Sequence, residues 1–158
     1  MTKPLIRQRN LPLLLAQARE VVISNFRPIL NHLGVTEQQW RIIRVLSENQ
    51  VLEPWQISEQ CQILKPSLTG VLTRMEEMGL IMRQRHDTDN RRQVVTLTER
   101  ARQLIAEAAP LVDKQYRELE KALGKQLIAD LYDVLDRLLD MQSVEVARIN
   151  LPERKTGA

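Results

Sequence analysis

The sequence predicts a mainly α fold. Apolar residues recur at helical spacing over most of the 158 residues, and five glycines with seven prolines leave little room for a β fold with many turns. The period shortens from about 3.6 to about 2 residues only between Leu80 and Leu97. We therefore expect helices before and after a single β-hairpin.

The N-terminal third predicts two helical runs. Asn10 and Pro12 should begin the first, since proline is tolerated in the first turn of a helix. Pro28 lies inside this run and should kink or split it. Thr36 and Gln39 have the spacing of a capping box, in which each side chain bonds the other residue's backbone amide, and should begin the next helix.

Two short helices joined by a tight turn are expected next. Pro54 should begin the first, which ends near Cys61, and Pro66 should begin the second. The second runs to Met78, and Gly79 follows as a left-handed C-cap. This is a helix-turn-helix arrangement. With the hairpin beside it, the sequence predicts a winged helix-turn-helix.

Two longer helices should complete the chain. Thr98 should cap a helix from Glu99 to about Leu123, interrupted at Pro110, and a last helix should cover about residues 126–146. The first and last elements of the chain are amphipathic, and a lone monomer cannot easily cover their apolar faces. We therefore expect them to form a joint homodimer interface.

The second helix of the helix-turn-helix has the composition of a recognition helix. Hydroxyl and guanidinium groups near a helix N-terminus can reach phosphates and base edges in a major groove, and Gly70 would allow close approach of the backbone. The alternative is that these side chains only cap the helix or are solvated. The candidate contacts to double-stranded DNA are Ser67, Thr69, Thr73 and Arg74.

The hairpin adds a second group of candidate DNA contacts. Arg91 and Arg92 lie where the turn ends, so the tip could enter a minor groove, and Asp89 could hold the tip in shape. Arg83 and Arg85 alternate on one strand face and suit contacts to phosphates. A solvated hairpin with ordinary surface ion pairs is the alternative.

Several classes of protein are disfavoured by composition. The net charge of +3 only hints at a polyanionic partner, although residues 1–19 carry four basic residues and no acid. Neither a signal peptide nor an apolar membrane span is present, and a lone cysteine fits a reducing cytoplasm, so we expect a cytoplasmic location without membrane contact. His32, His86 and Cys61 make no recognisable metal site, and no catalytic motif indicates an enzyme.

One helix face suggests a small-molecule site. Trp40 and Arg44 are four residues apart and share a face, so an aromatic ring could stack on the indole while the guanidinium holds a carboxylate. Glu37 lies one turn earlier and could accept a ligand hydroxyl. In the alternative, Trp40 belongs to the core and Arg44 pairs with a nearby acid.

These motifs resemble the MarR family of bacterial transcription regulators. The resemblance rests on ILKPSLTGVLTRMEEMGLIMRQRHDTDNRRQVVTLTERA at residues 63–101, which contains the D-x-R wing turn Asp89-Asn90-Arg91. The segment NFRPILNHLGVTEQQWRIIRVLSE at residues 25–48, together with LKPSLTGVLTRME at residues 64–76, is similar to the homoprotocatechuate (hydroxyphenylacetate) degradation-operon repressors of that family. The resemblance covers nearly the whole chain in element order.

The resemblance implies a homodimer that binds a pseudo-palindromic operator and releases it when a small aromatic acid binds. It implies a single MarR-like domain over residues 1–158, with DNA-binding part 35–98 and dimerisation helices in 1–34 and 99–150. The effector would be an acid such as 4-hydroxyphenylacetate or 3,4-dihydroxyphenylacetate, and no other cofactor is expected. The pocket would contain Trp40 and Arg44 with Tyr116 and a residue near Asn10.

Two other functions remain open from the sequence. One is a DNA-binding accessory protein that responds to no ligand. The other is a thiol-based redox regulator acting through Cys61, although no second cysteine is present to resolve an oxidised one.

Overall fold

A computed structural model describes residues 6–86 and 89–152, excluding the side chains of residues 86, 89–91 and 142. The mainly α prediction is confirmed. The helices are α1 (Leu11–Ile23), α2 (Arg27–Leu33), α3 (Glu37–Asn49), α4 (Pro54–Cys61), α5 (Lys65–Glu77), α6 (Glu99–Leu123) and α7 (Lys125–Asp140), and the strands are β1 (Val51–Leu52), β2 (Ile81–His86) and β3 (Asp89–Leu97).

The first helical run is split, as Pro28 predicted, but the break falls before the proline. Asn10 Oδ1 accepts a hydrogen bond from the backbone N–H of Leu13 at 3.1 Å and so caps α1. After α1 ends, α2 begins at Arg27, which places Pro28 in its first turn. A proline there loses no intrahelical bond, because the first amides of a helix have no partner within it.

The helix-turn-helix forms as the sequence predicts. The capping box of α3 is present, with Thr36 Oγ1 accepting from the Gln39 amide at 3.2 Å and Gln39 Oε1 accepting from the Thr36 amide at 2.9 Å. After α5, Gly79 has φ of +69°, the left-handed conformation that ends this helix. One core joins these helices to the sheet, with fully buried side chains that include Ile42, Ile43, Leu46, Ile57, Met75, Leu80, Ile81 and Val95.

The three strands form an antiparallel sheet in the order β1-β3-β2. Val51 pairs with Thr96, and Ile81 pairs with Leu97, which anchors the base of the hairpin beside the core. The two residues of β1 thus add a short edge strand to the hairpin. A register shift lies between Arg85 and His86. We call β2 and β3 the wing.

Two expectations about the last helices were wrong. Pro110 does not interrupt α6, which continues from Glu99 to Leu123. The buried neighbours Ala108 and Val112 favour a continuous helix there, although the proline lacks one amide donor. The final helix also ends earlier than expected, at Asp140, and the short 3₁₀ turn Met141–Ser143 follows it.

By the density of its contacts, the chain divides into residues 1–116 and residues 117–158. The first unit holds the helix-turn-helix, the wing and the core. In the second, α7 has no buried residue and exposes a row of apolar side chains: Leu127, Leu131, Tyr132, Val134, Leu138 and Leu139. In the described residues, we find no helix with the length and apolar character needed to cross a membrane.

Candidate nucleic-acid interface and ligand site

Helix α5 has one buried and one polar face. Its buried face packs Leu68, Val71, Leu72 and Met75 into the core. Ser67, Thr69 and Arg74 are exposed on the other side, where the sequence placed candidate DNA contacts. Thr73 is half-buried, and its hydroxyl donates to the Thr69 carbonyl at 3.0 Å. The hydroxyl of Thr73 therefore already has a partner inside the helix.

Arg83 on β2 reaches back to the recognition helix. Its Nε donates to Glu76 Oε2 at 2.9 Å, and its Nη2 contacts the same oxygen. The hydrogen bond from Arg83 lowers the pKa of Glu76 below its ordinary value. Only 22% of the Arg83 side chain is exposed. This guanidinium therefore joins the wing to α5.

Arg92 on β3 makes a similar connection to the start of α4. Its Nη2 and Nε both donate to the carboxylate of Glu53, the residue before α4, with the Nε bond at 3.3 Å. Trp55 Nε1 donates to the same carboxylate at 3.1 Å. Trp55 is 48% exposed, so the bonded indole lies at the surface and not in the core.

Of the other candidate contacts on the wing, Arg85 is described in full, whereas Asp89 and Arg91 are described only by their backbones. Arg85 is exposed on β2. The backbones of Asp89 and Arg91 belong to β3, but their side chains lie outside the described residues. Their expected roles at the wing tip therefore stay predictions.

Trp40 and Arg44 lie on α3 in the arrangement expected from their spacing. Trp40 is half-buried and packs against the core cluster. The Arg44 side chain is 48% exposed, and its Nη2 lies 3.7 Å from Glu48 Oε1. A contact at that distance between exposed groups is weak. The indole is thus fixed by the core, whereas the guanidinium is only loosely held.

Glu37 is held by two arginines. Arg27 Nε donates to Glu37 Oε1 at 2.6 Å, and Arg19 Nη2 donates to Glu37 Oε2 at 2.8 Å. Partial burial raises the pKa of Glu37, but the bonds from the two arginines together lower it below its ordinary value. Since both oxygens already accept a charged donor, a ligand hydroxyl would have to share or displace one.

The remaining pocket candidates lie on other elements. The rings of Tyr116 and Phe26 pack with centroids 4.8 Å apart and planes at 54°. Tyr116 on α6 is 41% exposed, so part of its ring is accessible. Asn10 lies at the start of α1, where its side-chain oxygen caps the helix.

Cys61 is buried at the end of α4. Burial raises the pKa of its thiol, although the charge of Arg41 opposes the shift. Arg41 Nη1 also donates to the Cys61 carbonyl at 2.6 Å and so joins α3 to the end of α4. A protonated, buried thiol is a poor nucleophile. Among the described residues, no group of three His, Cys, Asp or Glu side chains could hold a metal ion.

Sequence reasoning missed both acids that hold the wing. Glu53 and Arg92 are 39 residues apart, and Glu76 and Arg83 are seven apart across a change from helix to strand. The first separation is too long for a local pattern, and the second crosses from helix to strand, where the helical period no longer applies, so no local pattern signals these pairs. The bond between Arg27 and Glu37, ten residues apart on two helices, likewise depends on tertiary contact.

The fold and the polar face of α5 beside a hairpin define a winged helix-turn-helix protein. The sequence model of the MarR family matches residues 35–94. The chain is 43% identical over 128 residues to the HTH-type transcriptional regulator FarR of Neisseria gonorrhoeae, covering 81% of this chain and 88% of FarR. It is 36% identical over 130 residues to the homoprotocatechuate degradative operon repressor of Escherichia coli, covering 82% of this chain and 88% of the repressor.

A solved structure agrees with these relatives. NadR in complex with 4-hydroxyphenylacetate matches with a TM-score of 0.74 and 40% identity, covering 87% of this chain and 97% of NadR. The chain belongs to the MarR family and is a winged-helix transcriptional regulator. The family resemblance drawn from the sequence is thereby confirmed.

Proposed function

We propose that this protein is a transcriptional repressor that binds double-stranded DNA through α5 and the wing. The observation that carries the proposal is the exposure of Ser67, Thr69 and Arg74 outside the buried face of α5, with Thr69 lining a cleft of about 440 Å³. Lys65 also lines that cleft, at the N-terminus of α5, where a helix favours anions. Thr73, Arg85, Asp89 and Arg91 complete the proposed contacts, with Arg91 in a minor groove. We assign no enzymatic activity.

The proposed DNA-binding form is a homodimer. Exposed apolar side chains on α1 (Leu11, Leu13, Leu15 and Val21) and the apolar row of α7 support it, because monomers seldom leave such surfaces uncovered. Two recognition helices would enter successive major grooves about 34 Å apart on a pseudo-palindromic operator. The segments 1–34 and 99–150 would supply the interface, and residues 35–98 the DNA-binding part.

The proposed effector is a small aromatic carboxylate. Its ring would stack on Trp40, which the core fixes in place, and its carboxylate would bind Arg44, whose contact to Glu48 is weak enough to exchange. Tyr116 and Asn10 would complete the pocket. Glu37 would lie beside it and accept a ligand hydroxyl. The likeness to NadR in complex with 4-hydroxyphenylacetate supports this class of ligand. 4-Hydroxyphenylacetate and 3,4-dihydroxyphenylacetate are the first acids to test.

The effector would act by shifting the protein between two dimer shapes. It can weaken DNA binding only by the difference in its affinity for them, typically about 1–3 kcal/mol. A response through the Cys61 thiol is the weaker alternative, because that group is buried and its pKa is raised. A regulator without an effector would use the same DNA contacts.

Fluorescence anisotropy with the DNA upstream of the protein's own gene, at fixed salt, tests the DNA-binding proposal. Arg74→Ala and Arg91→Ala should each weaken binding by about 1–3 kcal/mol. Arg102→Ala is the matched control, since Arg102 is exposed on α6 and lies only 3.6 Å from Glu99 in a weak pair. Equal affinities for all four proteins would refute these contacts.

A further inference from the structure

Each strand of the wing is tied to the helix-turn-helix by one arginine–glutamate pair. Arg83 of β2 binds Glu76 of α5, and Arg92 of β3 binds Glu53 ahead of α4. The two pairs hold opposite strands of the hairpin to the two helices that a helix-turn-helix uses. Both arginines were expected from the sequence to contact DNA.

The geometry of the pairs opposes their exchange for DNA phosphates. Only 16% of the Glu53 side chain is exposed, and its carboxylate accepts two bonds from Arg92 and one from Trp55. Removing the arginine would leave a largely buried carboxylate without that cation, which is costly. Arg83 is 22% exposed and directs two donors at one oxygen of Glu76.

We propose that Glu53 and Glu76 are specificity-determining positioning residues. They fix the angle of the wing relative to α4 and α5, and they keep Arg83 and Arg92 from acting as phosphate ligands. This rests on the proposed function, because it assumes that α5 and the wing face DNA. Phosphate contacts supply most non-specific affinity, so withholding two cations lowers binding to random DNA while a fixed wing preserves binding to the operator.

The salt dependence of binding separates this proposal from direct phosphate contact. Each phosphate contact contributes about −0.9 to the slope of log K against log salt. The charge-neutral double variant Arg83→Met/Glu76→Gln removes one pair without changing the net charge. Binding to a short random-sequence duplex should keep the wild-type slope in this variant. Arg74→Met, which removes a proposed phosphate-reaching cation, should make the slope shallower by about 0.9.

Single carboxylate variants test the withholding effect. Glu53→Gln and Glu76→Gln should each tighten binding to the random duplex and steepen its salt slope, by up to about 0.9. The ratio of operator affinity to random-duplex affinity should fall. Glu99→Gln removes the same charge from a weak exposed pair. It should leave the salt slope and the affinity ratio unchanged.

An NMR measurement without DNA tests the contacts of Glu53 with Arg92 and Trp55. The indole N–H resonance of Trp55, assigned with Trp55→Phe, should shift in Glu53→Gln and stay in place in Glu99→Gln, with circular dichroism showing that all variants are folded. A slope that becomes shallower by about 0.9 in the charge-neutral double variant would overturn the inference while leaving the DNA-binding proposal intact. Wild-type protein that binds neither duplex would instead overturn the proposed function.

Discussion

Arg27 on α2 donates to Glu37 in the first turn of α3 at 2.6 Å, and its other donors bind Glu20 of α1. One guanidinium therefore links the three helices that precede the helix-turn-helix. Glu37 lies one turn before Trp40, so this link also fixes the start of the proposed effector site. Arg19 adds a second bond to Glu37 at 2.8 Å.

Acid should weaken this link. The hydrogen bond from Arg27 lowers the pKa of Glu20, and the pKa of Glu37 is lowered as well, from an ordinary value of 4.5. A lowered folded-state pKa contributes stability that is complete above the ordinary value and is lost as the pH falls through the folded-state value. The urea midpoint should therefore drop between pH 7 and about pH 3.5, and less so in Arg27→Met.

Arg137→Met is the control for that measurement. Arg137 lies 3.7 Å from Asp133 in an exposed pair, so its loss should leave the acid dependence as in the wild type. An Arg27→Met protein that loses stability in acid as steeply as the wild type would show that the Arg27 pairs do not hold these helices together.

Two glycines in and after α5 should respond oppositely to alanine. Gly79 has φ of +69°, and a Cβ there would meet Arg100 at an ordinary 3.9 Å, so the penalty is conformational. Gly79→Ala should reduce the free energy of unfolding by about 1–2 kcal/mol. Gly70 is helical with open space around it, and Gly70→Ala should raise that free energy by about 0.5–1 kcal/mol.

DNA binding should not follow stability in this pair of variants. If α5 enters the major groove, the methyl group of Gly70→Ala separates the helix from the DNA and weakens operator binding in a more stable protein. Urea denaturation and anisotropy on the same samples provide the two quantities. Operator affinity in Gly70→Ala equal to that of the wild type would argue against close approach of this face.

The sequence was sufficient for elements with local signals. The Thr36–Gln39 capping box, the left-handed Gly79 and the alternation after Leu80 each depend on neighbours along the chain, and the structure has all three. The predicted interruption of α6 at Pro110 was wrong, because burial of Ala108 and Val112 stabilises the helix through a residue that usually ends one. Ion pairs such as Arg92 with Glu53 depend on tertiary contact and leave no trace in spacing.

Cys61 should react slowly with thiol reagents in the folded protein. The side chain is buried, and burial raises the pKa of the thiol, so little thiolate is available at neutral pH. Iodoacetamide should modify it much faster in urea than in buffer, with Cys61→Ser as the blank for the mass measurement. Operator binding that peroxide abolishes in the wild type but not in Cys61→Ser would instead establish the redox alternative.

The most direct test of the whole account is an anisotropy titration of the DNA upstream of the protein's own gene, at fixed salt, with and without 4-hydroxyphenylacetate. The acid should weaken wild-type binding by about 1–3 kcal/mol. Arg44→Ala should bind DNA as tightly as the wild type but lose the response, because it lacks the carboxylate-binding group. Tight wild-type binding that neither 4-hydroxyphenylacetate nor 3,4-dihydroxyphenylacetate changes would contradict the proposed effector site and leave only the DNA-binding half of the account.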